Sequence, residues 1–213
     1  CASALLISDS EAGYRRFLGA DPVTASPLIV LERVLQVHEA LDRAGVQHAV
    51  GGALALAYHV AEARATRDID LNVAADPEDP QSLFELLPSD VPWDEGDVRT
   101  VRETGQVRLL WPHPDGQPPI PLDLFFPQSE FHRQLNQRAV LVAMLDKTVP
   151  IVSATDLMVL KMLFNRRKDW ADIEELVRHG TPDVDEARAW LIRIIGPDDV
   201  RESRLDQLLS ELA

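Results

Sequence analysis

Arg64-Ala65-Thr66-Arg67-Asp68-Ile69-Asp70-Leu71 is the stretch on which the reading of this chain turns. As a strand, Asp68-Ile69-Asp70-Leu71 puts both carboxylates on one face and Ile69 and Leu71 on the other, because side chains alternate with a period of two. Two ionised carboxylates side by side repel each other unless a cation sits between them or one takes a proton. The pair therefore favours a hard divalent metal. Upstream, residues 46–50 form a short strand pattern that runs into Gly51-Gly52, followed by the good helix formers of residues 53–59. Such a strand, glycine turn and helix lets backbone N–H groups approach a phosphate at a helix N-terminus. By itself it also describes an ordinary tight connection.

Further downstream, residues 120–126 (Ile-Pro-Leu-Asp-Leu-Phe-Phe) read as a strand with Leu122, Leu124 and Phe126 on one face and Asp123 and Phe125 on the other. A lone acid in so apolar a strand needs a partner or solvent. Joining Asp68 and Asp70 would supply one, and an edge position or an arginine would supply another. Around this frame, Ser26-Pro27 opens an amphipathic helix (Leu28, Leu31, Val34, Leu35, His38, Leu41) that Gly45 stops. Residues 81–87 read as a short helix. Residues 98–102 and 106–111 alternate about Glu103-Thr104-Gly105 as a β-hairpin. Helix at 129–137 and strands at 139–145 and 148–152 follow. Ser153-Ala154-Thr155-Asp156 then has the outline of a capping box at the head of an apolar helix that carries Lys161. After a break at 165–167, helices begin at Lys168, at Val184 and at Asp199.

The 213 residues carry a formal charge of -14, which argues against a broad nucleic-acid-coating surface. The charge is segregated, however. Residues 76–97 contain eight acids and no Lys or Arg, whereas Arg64, Arg67, Arg99, Arg102, Arg108 and Arg166-Arg167-Lys168 lie nearer the proposed site in sequence. The single cysteine, Cys1, cannot form an internal disulfide and fits a reducing compartment. Its place at position 1 is expected to reflect missing leading residues rather than a processed lipoprotein. With no signal-peptide pattern and no apolar run long enough to cross a bilayer, a cytoplasmic location is expected.

Gly51-Gly52, Arg64-x-Thr66-x-Asp68-x-Asp70, Asp123 in a later strand and Lys161 followed by Arg167-Lys168-Asp169-x-x-Asp172 occur in that order. The set resembles the DNA polymerase β-like nucleotidyltransferase superfamily, and within it the AbiEii-type toxins of bacterial toxin-antitoxin systems, over about residues 28–180. The resemblance implies an α+β fold: a small mixed sheet bearing three acids, flanked by helices, as a catalytic domain at residues 1–152, with a helical C-terminal subdomain at 153–213. It implies transfer of a nucleotidyl group from a nucleoside triphosphate to an acceptor hydroxyl. Asp68, Asp70 and Asp123 would bind two Mg²⁺ ions, with Mn²⁺ as a substitute, and Asp123 would help deprotonate the acceptor. Gly51 and Gly52 would hold the triphosphate, where most of the superfamily has Gly-Ser. Arg64, Thr66, Lys161 and Asp169 complete the nucleotide-binding set, and Lys161 neutralises triphosphate charge.

Two-metal chemistry agrees with this assignment, since phosphoryl transfer needs charge neutralisation and positioning above all. An RNA end, above all tRNA, a protein side chain and a small cationic molecule are all open as acceptors, and an antitoxin is the expected protein partner. A module that keeps the fold and binds nucleotide without turnover is the alternative.

Overall fold

The computed structural model describes residues 27–61 and 66–212. Cys1, Ser26 and Arg64 lie outside the described residues. The first helix, α1 (Pro27–Arg43), is followed by β1 (His48–Val50), α2 (Gly52–His59) and β2 (Ile69–Val73). Next come α3 (Pro80–Phe84), α4 (Glu95–Thr104), β3 (Gln106–Trp111), β4 (Ile120–Phe125) and α5 (Glu130–Leu135). The remainder is β5 (Val140–Met144), β6 (Lys147–Ile151), α6 (Ala154–Phe164), α7 (Arg167–Arg178), α8 (Val184–Ile195) and α9 (Val200–Leu212). The six strands form one sheet in the order β3-β4-β2-β1-β6-β5. Strands β2 and β4 run parallel, as do β1 and β6, and the other neighbours are antiparallel. The fold is thus mixed α+β, as the resemblance implies. Among the described residues no helix is long and apolar enough to cross a membrane.

Most elements follow their patterns, and three departures are informative. Residues 98–102 are helical and not the first arm of a hairpin. Asp94 Oδ1 accepts from the backbone N–H of Gly96 and Asp97 at 2.6 and 3.2 Å, while Asp97 Oδ2 accepts from Asp94 N–H at 2.9 Å. That reciprocal cap starts α4, Val98 and Val101 bury its inner face, and Gly105 ends it in the left-handed region at φ 69°. The strand β3 therefore takes its antiparallel partner from β4, across the loop at 112–119.

The second departure is at α1, whose buried face runs through Val30, Leu31, Val34, Val37 and Leu41, leaving Leu28 exposed. On the same helix Arg33 is buried, its guanidinium 4.3 Å from the Trp111 ring centre and 2.8 Å from Asp90. The third is at the start of α6. Ser153 Oγ accepts from Asp156 N–H at 3.1 Å as expected of an N-cap, but the Asp156 carboxylate turns to Arg138.

That ion pair ties the strand half of the chain to the C-terminal helices. Asp156, 1% exposed, accepts from Arg138 Nη2 at 2.7 Å and from Nε at 3.1 Å. The guanidinium also lies 5.1 Å from the Trp190 ring centre on α8 and 5.7 Å from Phe131 on α5. Helix α6 is apolar around most of its circumference and packs against α2, α7 and α8. Asp156→Ala is expected to lower unfolding stability by about 2–3 kcal/mol, the scale of lost hydrogen bonds to a charged group. A urea unfolding midpoint within error of the unmodified chain would show that the Arg138 fork holds nothing together.

Candidate active site

The sheet brings the acids together through register. Asp70 on β2 lies directly beside Asp123 on β4, in a parallel pairing that also matches Ile69 with Leu122 and Leu71 with Leu124. Matched positions on neighbouring strands point to the same face, so the two carboxylates share one side while Ile69, Leu71, Leu122 and Leu124 go to the core. Asp68 stands one residue before β2, where its N–H donates to Thr66 Oγ1 at 3.2 Å. Thr66 thereby fixes the entry to the strand and also lines the cleft.

On the other side of β2, strand β1 delivers the glycine turn. Gly51 N–H donates to Asp70 C=O at 2.8 Å, and Gly52 opens α2 at φ 57°. A β-carbon on Gly52 would overlap the Asp70 carboxylate. Glycine at 52 thus serves two ends: it permits the left-handed backbone and leaves room for Asp70. A serine at 52, which the resemblance leads one to expect, would meet the same overlap.

These groups line a cleft of about 270 Å³ together with Lys161, Arg166 and Asp169 from the C-terminal helices. Lys161 is neither a solvated nor a snorkelling side chain. It is buried in α6, and its Nζ donates to Asp172 Oδ2 of α7 at 2.5 Å. Asp169, also buried, accepts from Arg166 Nε at 2.6 Å, from Arg166 Nη2 at 3.0 Å and from Arg166 N–H at 3.0 Å. Its carboxylate lines the cleft but is committed to holding Arg166 over it.

The structure gives roles to cleft residues that the sequence marks only as nearby basic or apolar positions, and adds Asn72. Arg108 on β3, directly opposite Asp123, donates through Nε to Oδ1 at 2.7 Å and through Nη2 to Oδ2 at 2.6 Å, and reaches Asp68 Oδ2 at 3.4 Å. Asn72 follows Asp70 on the same face of β2, a position the period of two could have flagged. Phe125 and Phe164 meet edge to face at 6.0 Å, with the Arg166 guanidinium 4.8 Å from the Phe164 ring. Phe164 remains 44% exposed at the mouth.

The donor set suits a hard divalent cation, being all carboxylate oxygen. Burial first, then the Asp123 and Asp68 charges, push the Asp70 carboxyl up to about 6, with Lys161 and Arg166 opposing them. A second cation on that face would relieve the repulsion. Among the described residues no three acids already stand gathered around one metal-sized point, and Asp123 is turned to Arg108.

The raised Asp70 pKa has a sign. A carboxyl whose folded pKa lies above its unfolded value carries no penalty below about pH 4 and destabilises the fold as pH rises through about 6. The gap from 3.8 to about 6 corresponds to roughly 3 kcal/mol. In metal-free protein, Asp70→Asn should therefore raise the thermal midpoint at about pH 8 and leave it nearly unchanged at about pH 4. Equal midpoints at both pH values would mean that the ionised carboxylate costs nothing in its place.

A model of the family described as "Nucleotidyl transferase AbiEii toxin, Type IV TA system" matches residues 33–211. No curated protein gives a significant match. Among solved structures, the chain is similar to an antigenic nucleotidyltransferase-like protein from Paracoccidioides brasiliensis, at 19% identity over 85% of this chain and 93% of that one, with a TM-score of 0.49. It is also similar to the antibiotic-resistance factor ANT(2'')-Ia, at 14% identity over 87% and 95%, TM-score 0.42, and to JHP933 from Helicobacter pylori, at 14% identity over 87% and 84%, TM-score 0.43. With the family model spanning nearly all of the described chain, this protein belongs to the AbiEii nucleotidyltransferase toxin family.

Proposed function

We propose that this nucleotidyltransferase uses a nucleoside triphosphate and Mg²⁺ to modify the hydroxyl end of an RNA, with tRNA as the acceptor. The observation that carries the reading is the register of Asp70 against Asp123, with Asp68 just ahead of β2 and the glycine turn against Asp70. Asp68, Asp70 and Asp123 would hold the metal, which supplies charge neutralisation and orientation of the phosphates. The first-turn N–H groups of α2 at Gly52 and Ala53, which line the cleft, would receive phosphate oxygens, with the helix dipole favouring the negative charge. Lys161, held by Asp172 on the cleft wall, adds fixed positive charge there. The acceptor oxygen attacks the α-phosphorus as its proton passes to Asp123, the bond to the β-phosphate oxygen breaks, and pyrophosphate leaves.

The acceptor reading rests on the cleft rather than on the whole surface. The chain is acidic overall, yet Arg108, Lys161, Arg166 and Lys168 line the cleft against Asp68, Asp70, Asp123 and Asp169. With Asp172 behind Lys161 the acids outnumber the cations by one, so added divalent charge turns the cleft toward anions and away from a cationic small molecule. The exposed Phe164 at its mouth offers a face on which a base can stack. The family's toxin-antitoxin setting supports an antitoxin as the counterpart of this activity.

Incubation with each labelled nucleoside triphosphate, Mg²⁺ and total cellular RNA is expected to label the tRNA-sized fraction and to release pyrophosphate. Both signals should vanish in Asp68→Ala and when the metal is chelated. Label on protein, or no label with any of the four triphosphates, would overturn the choice of acceptor.

A further inference from the structure

We propose that Arg108 is the resident counter-cation of the three-acid site, and that its guanidinium competes with a divalent metal ion for the carboxylate oxygens of Asp123. This inference rests on the metal reading of Asp68, Asp70 and Asp123 given above. Both oxygens of Asp123 are taken by the two arms of the fork, at 2.7 and 2.6 Å, and the same guanidinium reaches Asp68 at 3.4 Å. One cation therefore spans two of the three acids, on the face where like charges most need one. A bidentate fork of this kind is among the stronger contacts a carboxylate makes, so metal entering at Asp123 meets an occupied ligand.

Two features make Arg108 displaceable where Lys161, the buried cation of the cleft, is not. Strand β3 is one of the two edge strands, and its alternation leaves Gln106, Arg108 and Leu110 outward while Val107, Leu109 and Trp111 anchor it in the core. The Arg108 side chain is 54% exposed, so it can swing into solvent without disturbing that packing. Lys161, 5% exposed and held by Asp172, has no such freedom. Arg108 thus keeps the acids compatible while the site is empty of metal and leaves Asp123 when metal arrives with its anionic substrate.

A competing cation and a supporting neighbour give opposite signs when removed. Loss of a residue that merely orients a metal ligand weakens metal binding by about 10–100-fold. Loss of a competitor tightens it. Mn²⁺ affinity, measured without nucleotide by the electron paramagnetic resonance signal of the free ion, is expected to be about tenfold tighter in Arg108→Gln, the scale of losing charge-assisted hydrogen bonds. Arg108→Lys keeps the charge but not the fork, and it too should bind Mn²⁺ more tightly than the unmodified chain. Unchanged unfolding midpoints confirm that both variants fold.

Weaker Mn²⁺ binding in both variants would overturn the competition while leaving the three-acid metal reading intact. Tighter binding in Arg108→Gln with no change in Arg108→Lys would reduce the effect to distant charge and also overturn it. Absence of Mn²⁺ binding in the unmodified chain and both variants would remove the metal reading and the inference together.

Discussion

Repulsion between carboxylates fixed by strand register is the constraint on which the rest of this molecule depends. Asp70 and Asp123 cannot move apart, because β2 and β4 are hydrogen-bonded neighbours and their opposite faces lock Ile69, Leu71, Leu122 and Leu124 into the core. The fold answers the repulsion with cations delivered from elsewhere in the chain. Arg108 arrives from the outer strand, Arg166 from the start of α7 under the hold of Asp169, and Lys161 from α6 under the hold of Asp172. Arg166 and Lys161 each have their own buried acid, Asp169 and Asp172, whereas Arg108 has only the site acids themselves. The C-terminal helices are therefore not a passive appendage to the sheet. They carry charge to one end of it, and the Arg138–Asp156 pair with its aromatic neighbours ties them to the strands.

How much of this was legible in the sequence depends on whether the signal was local. The shared side of Asp68 and Asp70 is a period-of-two statement about four residues; the strand itself begins one residue later, at Ile69, and both acids line the cleft. The strand–glycine–helix unit at Gly51-Gly52 holds for the same reason, and the structure adds why the second position lacks a side chain. The helix at 95–104 was also locally signalled, by Asp94-x-x-Asp97 and by valines three apart at 98 and 101. The alternation of residues 98–102 hid it, since in so short a run valine and threonine suit a strand as well as an amphipathic helix. Arg108 opposite Asp123, and Lys161 against Asp172, were out of reach. The first depends on which strands pair across the loop at 112–119, the second on how α7 folds back along α6. Non-local geometry of that sort has no pattern in the sequence.

The catalytic-family assignment and the local chemistry meet at one point, the carboxylate cluster. Family membership supplies the reaction class, and the structure supplies a reason why a cation is needed where it is and why glycine, not serine, stands at 52. The most direct measurement is a crystal structure of the protein with Mn²⁺ and a non-hydrolysable nucleoside triphosphate analogue, read by anomalous scattering. The account predicts manganese signal about 2 Å from carboxylate oxygens of Asp68, Asp70 and Asp123, with the triphosphate against the N-terminus of α2. Manganese held only by phosphates and water, with all three carboxylates disengaged, would contradict it.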